Sequence, residues 1–253
     1  MIPKIIHYCW FGRNPIPNQL AIYMESWKRF CPEYEIKLWN EDSFDIESHS
    51  FVKSAYKQKK YAYVSDYVRA YALYNYGGIY LDTDVELKNK LDEFLLHDAF
   101  TGFEAENLPF TAVWGSKPYH RLAELILLDY KNKTYTPNEP PNTISVTNLL
   151  VDHFNIDKSK NELQIGLNQT DKIHIYPSTT FCLDLPQNIA THHFYGSWLP
   201  TEHREYKEYA HYLYKQEQLK NNTNFNDKNI LKIIAKQITF RNLLRIIRYK
   251  IKY

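Results

Sequence analysis

Two adjacent glycines, Gly77 and Gly78, separate a helical pattern from a short apolar strand that ends in acidic residues. The helix is predicted to begin at a Ser65 cap and to end where Gly77 takes the usual C-terminal glycine position. The strand leads directly into Asp82 and Asp84, which are two residues apart. This order indicates an α/β protein whose binding groups lie at the carboxyl ends of strands.

The rest of the chain repeats this alternation of strands and helices. Strands are predicted at residues 2–10, 34–39 and 172–176, and helices at 18–30, 117–130 and 143–154. With 253 residues and 44% hydrophobic content, the chain has enough apolar material for a buried core, which excludes disorder and a coiled coil as descriptions of the whole.

The cysteines and the amino-terminal sequence indicate the cellular compartment in which the protein is expected. Cys9, Cys31 and Cys182 are odd in number and far apart, which disfavours a disulfide framework and a thiolate zinc site and favours a reducing compartment. The amino terminus has no signal-peptide pattern, and no window approaches 18 uninterrupted apolar residues. We therefore expect a cytoplasmic protein.

Acidic residues next to the glycines form the first candidate site. Carboxylates such as Asp82 and Asp84 repel each other unless a cation lies between them, and their oxygens suit Mg²⁺ or Mn²⁺ shared with phosphates. Asp66 and Arg69 lie at positions i and i+3 of the helix and are predicted to pair. The alternatives are a chance D-x-D and an exposed surface pair of little consequence.

A second cluster runs through residues 191–198. Adjacent side chains of a strand point to opposite faces, so only one of His192 and His193 is expected to reach a divalent cation. The hydroxyl of Ser197 and the indole N–H of Trp198 are suited to phosphate oxygens, and the ring of Trp10 is suited to stacking a base. Surface histidines beside a core tryptophan, and core packing of Trp10, are the alternatives.

Three segments together resemble a known family. IPKIIHYCWFG, SDYVRAYALYNYGGIYLDTDVEL and HHFYGSW, in this order and spacing, resemble glycosyltransferase family 32 over about residues 1–200. That family includes bacterial capsular-polysaccharide and lipopolysaccharide sugar transferases. It is similar to yeast mannosyltransferases and, remotely, to the glucosyltransferase domains of clostridial toxins.

The resemblance implies a fold and a chemistry. The fold would be the GT-A nucleotide-diphospho-sugar transferase fold, an α/β structure with a mixed, mainly parallel central sheet flanked by helices, plus C-terminal helices. The enzyme would use a nucleotide-sugar donor, with a UDP-hexose favoured, together with Mn²⁺ or Mg²⁺, and it would retain the anomeric configuration.

The resemblance also implies roles for residues in the first two segments. Trp10 matches the tryptophan that stacks on the nucleobase, and Asp66 and Arg69 match the pair that holds the donor sugar hydroxyls. Asp82 matches the first DXD acid, which contacts the ribose and a metal-bound water. Asp84 matches the acid that binds the metal directly.

In the third segment, His192 occupies the place of the histidine that precedes Gly-Ser-Trp, which makes it the expected third metal ligand. Ser197 and Trp198 match the contacts to the diphosphate. The resemblance leaves open which of His192 and His193 binds the metal.

The last 27 residues differ in composition from the preceding body. Residues 227–253 contain eight Lys and Arg against one Asp, a net charge of +7, which leaves −5 of the total of +2 for residues 1–226. We expect residues 1–226 to be the GT-A domain and residues 227–253 to be a basic amphipathic helical tail that binds anionic lipid at the inner face of the plasma membrane. A helix packed on the domain and a dimer contact are the alternatives, whereas the acidic body disfavours nucleic acid.

The resemblance implies an enzyme that moves a hexose to a growing surface glycan or a lipid-linked acceptor in capsular polysaccharide or lipopolysaccharide synthesis. No acid is evident as a covalent nucleophile, so we expect a same-face substitution in which the leaving phosphate takes the proton of the acceptor. The alternatives are a sugar-binding protein without turnover and a metal-dependent phosphohydrolase. A phosphohydrolase would need further Asp and His ligands for a second metal, and residues 1–120 show no obvious set.

Overall fold

The computed structural model describes residues 1–110, 112–185 and 188–196. The strands are β1 (Ile5–Cys9), β2 (Glu35–Trp39), β3 (Gly78–Leu81), β4 (Val85–Leu87), β5 (Ala99–Gly102), β6 (Val113–Ser116), β7 (Gln164–Asn168), β8 (Asp171–Tyr176) and β9 (Ala190–His192). The α-helices are α1 (Asn18–Phe30), α2 (Ser50–Lys57), α3 (Tyr61–Tyr76), α4 (Arg121–Tyr130), α5 (Asn142–Phe154) and α6 (Ser178–Phe181). Short 3-10 helices lie at Ile46–Ser48 and Asp92–Leu96.

A seven-stranded sheet forms the centre, in the order β2-β1-β3-β6-β5-β8-β7. Five of these strands run in the same direction, while β6 and β7 run antiparallel to their neighbours. At the middle of β1, Ile6 lies beside Ile36 of β2 and Ile79 of β3. The prediction of an α/β fold with a mixed, mainly parallel sheet is confirmed.

The sheet is covered by apolar side chains on both faces. One buried cluster joins the sheet to α2, α3, α4 and α5, and it contains Trp39, Phe51 and Trp114. The other cluster joins the opposite face to α1 and α6 through Trp27 and Phe181. Strand residues are divided between the clusters because successive side chains of a strand point to opposite faces.

The turn from α3 into β3 requires its two glycines. Gly77 ends the helix at φ 64°, and its N–H donates to the Leu73 carbonyl at 2.9 Å. Gly78 has φ 102°, and a Cβ placed there would lie 2.7 Å from the Ile5 carbonyl oxygen on β1. A side chain at Gly78 would therefore be both strained and in collision with the neighbouring strand. The predicted glycine C-terminus of the helix is confirmed.

Most predicted elements are present, but two helix starts were wrong. The helix with Asp66 and Arg69 begins at Tyr61, and the Ser65 hydroxyl donates to the Tyr61 carbonyl at 3.1 Å inside it. No glycine or proline interrupts residues 61–64, so the helix extends a turn further than the cap predicted. The helix predicted to start at residue 117 begins at Arg121, because Pro118 and the cap at His120 precede it.

A second, two-stranded sheet pairs β4 with β9 in antiparallel register. The predicted C-terminal helices, the domain boundary at 226 and the tail at 227–253 lie outside the described residues. Within the described ranges, no helix is sufficiently long and apolar to cross a membrane.

Candidate active site

The loop after β1 carries Trp10 to the edge of a cavity. The Trp10 amide extends the β1–β2 ladder by donating to the Trp39 carbonyl at 2.9 Å, and its indole N–H donates to the Asn14 carbonyl at 2.6 Å. The next bend is at Gly12, whose φ of 97° brings its N–H to the Glu41 carboxylate at 2.6 Å. Trp10 is half-buried and lines the cavity, so part of its ring is available to a ligand.

The two acids after β3 lie on a tight turn. Asp82 N–H donates to the Ala112 carbonyl at 3.0 Å, and Val85 N–H donates to the Asp82 carbonyl at 3.0 Å as β4 begins. The Asp84 carboxylate accepts the Tyr195 N–H at 2.7 Å. The D-x-D turn is thus held by hydrogen bonds to Ala112, which precedes β6, and to Tyr195, which follows β9. Both acids line the cavity.

Antiparallel pairing of β4 with β9 brings His192 to the acids. Val85 pairs with His192, which places the imidazole Nε2 3.4 Å from the Asp84 carboxylate. The ring is buried and stacks on Phe194 with centroids 4.0 Å apart. His193 points the other way: its Nε2 lies 2.9 Å from the Glu86 carboxylate. The two histidines therefore face opposite sides, as predicted, and His192 is the one beside the D-x-D.

Asp82, Asp84 and His192 form a cluster that fits a divalent cation. One possible ligand atom of each residue lies within 4.8 Å of the others. Two carboxylates and one imidazole are a donor set that Mn²⁺ and Mg²⁺ accept. Burial and the neighbouring Asp84 raise the pKa of Asp82, although Arg69 opposes them. A cation between the acids would relieve that repulsion.

Asp66 and Arg69 form an ion pair on the inner face of α3. Their exposed fractions are 7% and 8%, so the surface-pair alternative is wrong. Arg69 Nη1 also lies 3.9 Å from the Asp82 carboxylate, and its guanidinium lies 5.0 Å from the Tyr80 ring centroid. Burial raises the pKa of Asp66, while Arg69 opposes that shift. The pair therefore connects α3 to the D-x-D turn.

All of these side chains line one cavity of about 550 Å³, a volume typical of small-molecule sites. Six of the predicted site residues lie on its wall: Trp10, Asp66, Arg69, Asp82, Asp84 and His192. The other two, Ser197 and Trp198, lie outside the described residues. In the described ranges, the cluster at the D-x-D is the one group of three or more potential metal ligands, so the second-metal set that a phosphohydrolase needs is not found there.

Two features of the site were not predicted. Glu104 lines the cavity just beyond the end of β5, a strand too short for its pattern to be evident in the sequence. His7 lies in the predicted strand at residues 2–10, is fully buried and contacts the backbone of Gly77 just before the D-x-D strand. A histidine in an otherwise apolar strand was the available signal for the second feature.

Comparison with known proteins agrees with this geometry. Residues 17–101 match the glycosyltransferase sugar-binding region containing a DXD motif. The chain is 28% identical over 224 residues to the uncharacterized glycosyltransferase L373 of Acanthamoeba polyphaga mimivirus, covering 79% of this chain and 85% of that protein. It is 37% identical over 103 residues to inositol phosphoceramide mannosyltransferase 3 of Schizosaccharomyces pombe, covering 39% of this chain and 29% of that protein.

The match to the yeast enzyme thus spans under a third of its length. Among solved structures, the PaToxG glycosyltransferase is similar with a TM-score of 0.44 and 17% identity, over 60% of this chain and 69% of that one. The matched region contains α3, both glycines and the D-x-D, and residues of α3 and of the D-x-D line the cavity. Residues 17–101 therefore carry a sugar-binding region of the kind found in DXD glycosyltransferases, which supports a transferase enzyme, and the chain is similar in sequence to a mannosyltransferase.

Proposed function

We propose that this glycosyltransferase transfers a hexose from a nucleotide-sugar, with retention of configuration and with Mn²⁺ or Mg²⁺ bound at Asp82, Asp84 and His192. The proposal rests on one observation: these three potential ligands lie in the same cavity as Trp10, Asp66 and Arg69. A UDP-hexose is the favoured donor, on the basis of the family resemblance. The similarity to a yeast mannosyltransferase makes an activated mannose, GDP-mannose, the second donor to test.

Each of the predicted site residues has a task in this proposal. Trp10 stacks on the nucleobase, and Asp84 and His192 hold the cation that neutralises the diphosphate. Bound there, the cation acts as a Lewis acid that makes a nucleoside diphosphate a better leaving group. Ser197 and Trp198 are proposed to donate hydrogen bonds to the same phosphates.

Asp66 and Arg69 are proposed to hold the hydroxyls of the donor sugar. Arg69 is fixed by Asp66 and lies near Asp82, so its guanidinium is preorganised next to the point where negative charge develops on the leaving group. A same-face substitution, in which the leaving phosphate takes the proton of the acceptor hydroxyl, needs no protein nucleophile.

The acceptor is proposed to be a surface glycan or a lipid-linked sugar of capsular polysaccharide or lipopolysaccharide synthesis. We also propose that residues 227–253 hold the enzyme at the inner face of the plasma membrane. The support for membrane binding is the net charge of +7 and the apolar stripe of that segment.

A donor screen tests the central proposal. The purified protein is incubated with UDP-glucose, UDP-galactose or GDP-mannose and Mn²⁺, and the release of nucleoside diphosphate is measured with and without EDTA. We expect release from one donor, lost with EDTA, and a product with the anomeric configuration of the donor by NMR. Turnover that is insensitive to EDTA would contradict the metal site, and an inverted product would contradict retention.

A further inference from the structure

The side chain of Glu104 lines the cavity but has no role in the proposed binding of the donor. In the described part of the chain the cavity wall carries four carboxylates: Asp66, Asp82, Asp84 and Glu104. Asp66 and Asp82 face Arg69, and Asp84 accepts the Tyr195 N–H. The Glu104 side chain has no hydrogen bond or ion pair with the described residues, and it does not belong to the metal cluster.

Hydrogen bonds fix the backbone at Glu104. Its N–H donates to the Leu108 carbonyl at 2.9 Å, and its carbonyl accepts the thiol of Cys182 at 3.6 Å. The preceding Phe103 N–H donates to the Tyr176 carbonyl at 2.8 Å, which continues the pairing of β5 with β8. The carboxylate is therefore attached to a rigid strand end, where positioned ligand-binding groups are typical of α/β proteins.

Glu104 lines the same cavity as Asp82, Asp84 and His192. Burial raises its pKa, His192 opposes this shift, and Asp82 and Asp84 add to it. A carboxylate in a cavity that holds other acids is unfavourable without a partner. Because no described residue supplies a hydrogen bond, the partner that fits is a donor group on a bound ligand.

A sugar transferase needs such a group for its second substrate. The base, the diphosphate and the donor sugar have assigned contacts on the wall, whereas the acceptor has none. Resting on the proposed function, we propose that Glu104 forms the acceptor subsite, where its carboxylate accepts a hydrogen bond from the hydroxyl group of an incoming sugar or polyol. The donor is held independently of Glu104.

The test compares Glu104→Gln with Glu106→Gln, the same change at an exposed position two residues away. Binding of UDP and of GDP in the presence of Mn²⁺ is measured by calorimetry. Donor turnover is then measured with water alone and with glycerol or octyl α-mannopyranoside as the acceptor. These probes separate donor binding, donor hydrolysis and transfer to a hydroxyl group.

We expect Glu104→Gln to bind the nucleotides as the wild type does, within about twofold. Its ratio of transfer to hydrolysis falls about 10- to 100-fold through a higher acceptor KM, as expected when a hydrogen bond to a charged group is weakened. Glu106→Gln keeps the wild-type ratio.

Four results would overturn the inference. An unchanged ratio in Glu104→Gln would show that the carboxylate does not contact the acceptor. Equal loss of hydrolysis and transfer would assign Glu104 to the donor or to a covalent step. A wild type that hydrolyses donor but glycosylates neither probe would remove the polyol subsite and leave the transferase intact. A wild type that binds neither nucleotide would refute the proposed function, and the subsite with it.

Discussion

His7 Nε2 lies 2.7 Å from the carbonyl oxygen of Gly77, the residue that ends α3 just before the strand of the D-x-D. The other ring nitrogen, Nδ1, accepts the indole N–H of Trp39 at 3.1 Å and so carries no proton. Nε2 must therefore be the protonated nitrogen, and it donates to Gly77. A neutral, fully buried imidazole thus ties β1 to the turn that positions Asp82 and Asp84.

This contact predicts a pH-dependent stability. Burial lowers the pKa of His7 from 6.5 to about 4. Between those values the unfolded chain binds a proton that the folded protein does not, so stability is complete above pH 6.5 and decreases as the pH falls. From pH 7 to pH 5 the contribution is about 2 kcal/mol of unfolding free energy.

Urea unfolding at the two pH values measures this contribution. The wild type should lose about 2 kcal/mol more than His7→Gln does. The matched control is His153→Gln at an exposed position of α5, which should follow the wild type. Equal pH dependence of wild type and His7→Gln would contradict the prediction.

Removal of either acid of the D-x-D should impair metal-dependent turnover. Asp84→Ala leaves the cation without its anionic anchor, so we expect no measurable activity and at least a ~100-fold loss of Mn²⁺ affinity, as for loss of a charged ligand. Asp82→Ala should be severely impaired with residual activity. Calorimetry with Mn²⁺ gives the affinities, and Asp129→Asn, at a surface ion pair with Lys133, is the control.

Arg69 should matter for both stability and catalysis. Arg69→Ala leaves Asp66 buried without its partner, so we expect a loss of about 3 kcal/mol in unfolding free energy. Arg69→Lys keeps the charge but not the planar fork, and its kcat/KM should fall roughly 30- to 1000-fold with a smaller change in Tm. Kinetics and melting on one preparation separate the two effects. Normal kcat/KM in Arg69→Lys would show that the guanidinium does not touch the donor.

Trp10 should determine nucleotide affinity. Loss of a stacked base costs about 1–3 kcal/mol, so Trp10→Ala should weaken UDP binding about 5- to 150-fold, whereas Trp10→Phe should retain most of it. Mn²⁺ affinity without nucleotide should be unchanged in both variants. If Trp10→Ala binds UDP as the wild type does, the ring has only a packing role.

The basic segment should determine membrane affinity. Reversal of Arg241, Arg245 and Arg248 to Glu changes the net charge of residues 227–253 from +7 to +1. Each basic residue near an anionic surface contributes about 1 kcal/mol, so the variant should no longer sediment with anionic vesicles. Neutral vesicles are the control. Equal sedimentation of variant and wild type would favour the packed-helix or dimer alternatives.

Much of the local structure was predictable because its determinants are adjacent in the chain. The helix at 18–30 has the predicted bounds, and Gly77 and Gly78 mark the end of α3 and the start of β3. The pairing of Asp66 with Arg69 follows from one helical turn. In contrast, β4, β5, β6 and β9 have three or four residues each, too few for an alternating pattern to be recognised.

The sequence by itself determined which chemical groups the site contains and that two acids follow a buried strand. Only the tertiary structure decided that His192 lies beside Asp84, because that contact depends on pairing β4 with a strand more than a hundred residues away. Likewise, the Asp66–Arg69 pair is buried because α3 packs against the sheet. The position of Glu104 depends on the pairing of β5 with β8. Periodicity encodes contacts within a helix or strand, whereas long-range pairings arise from burying several such elements in one core.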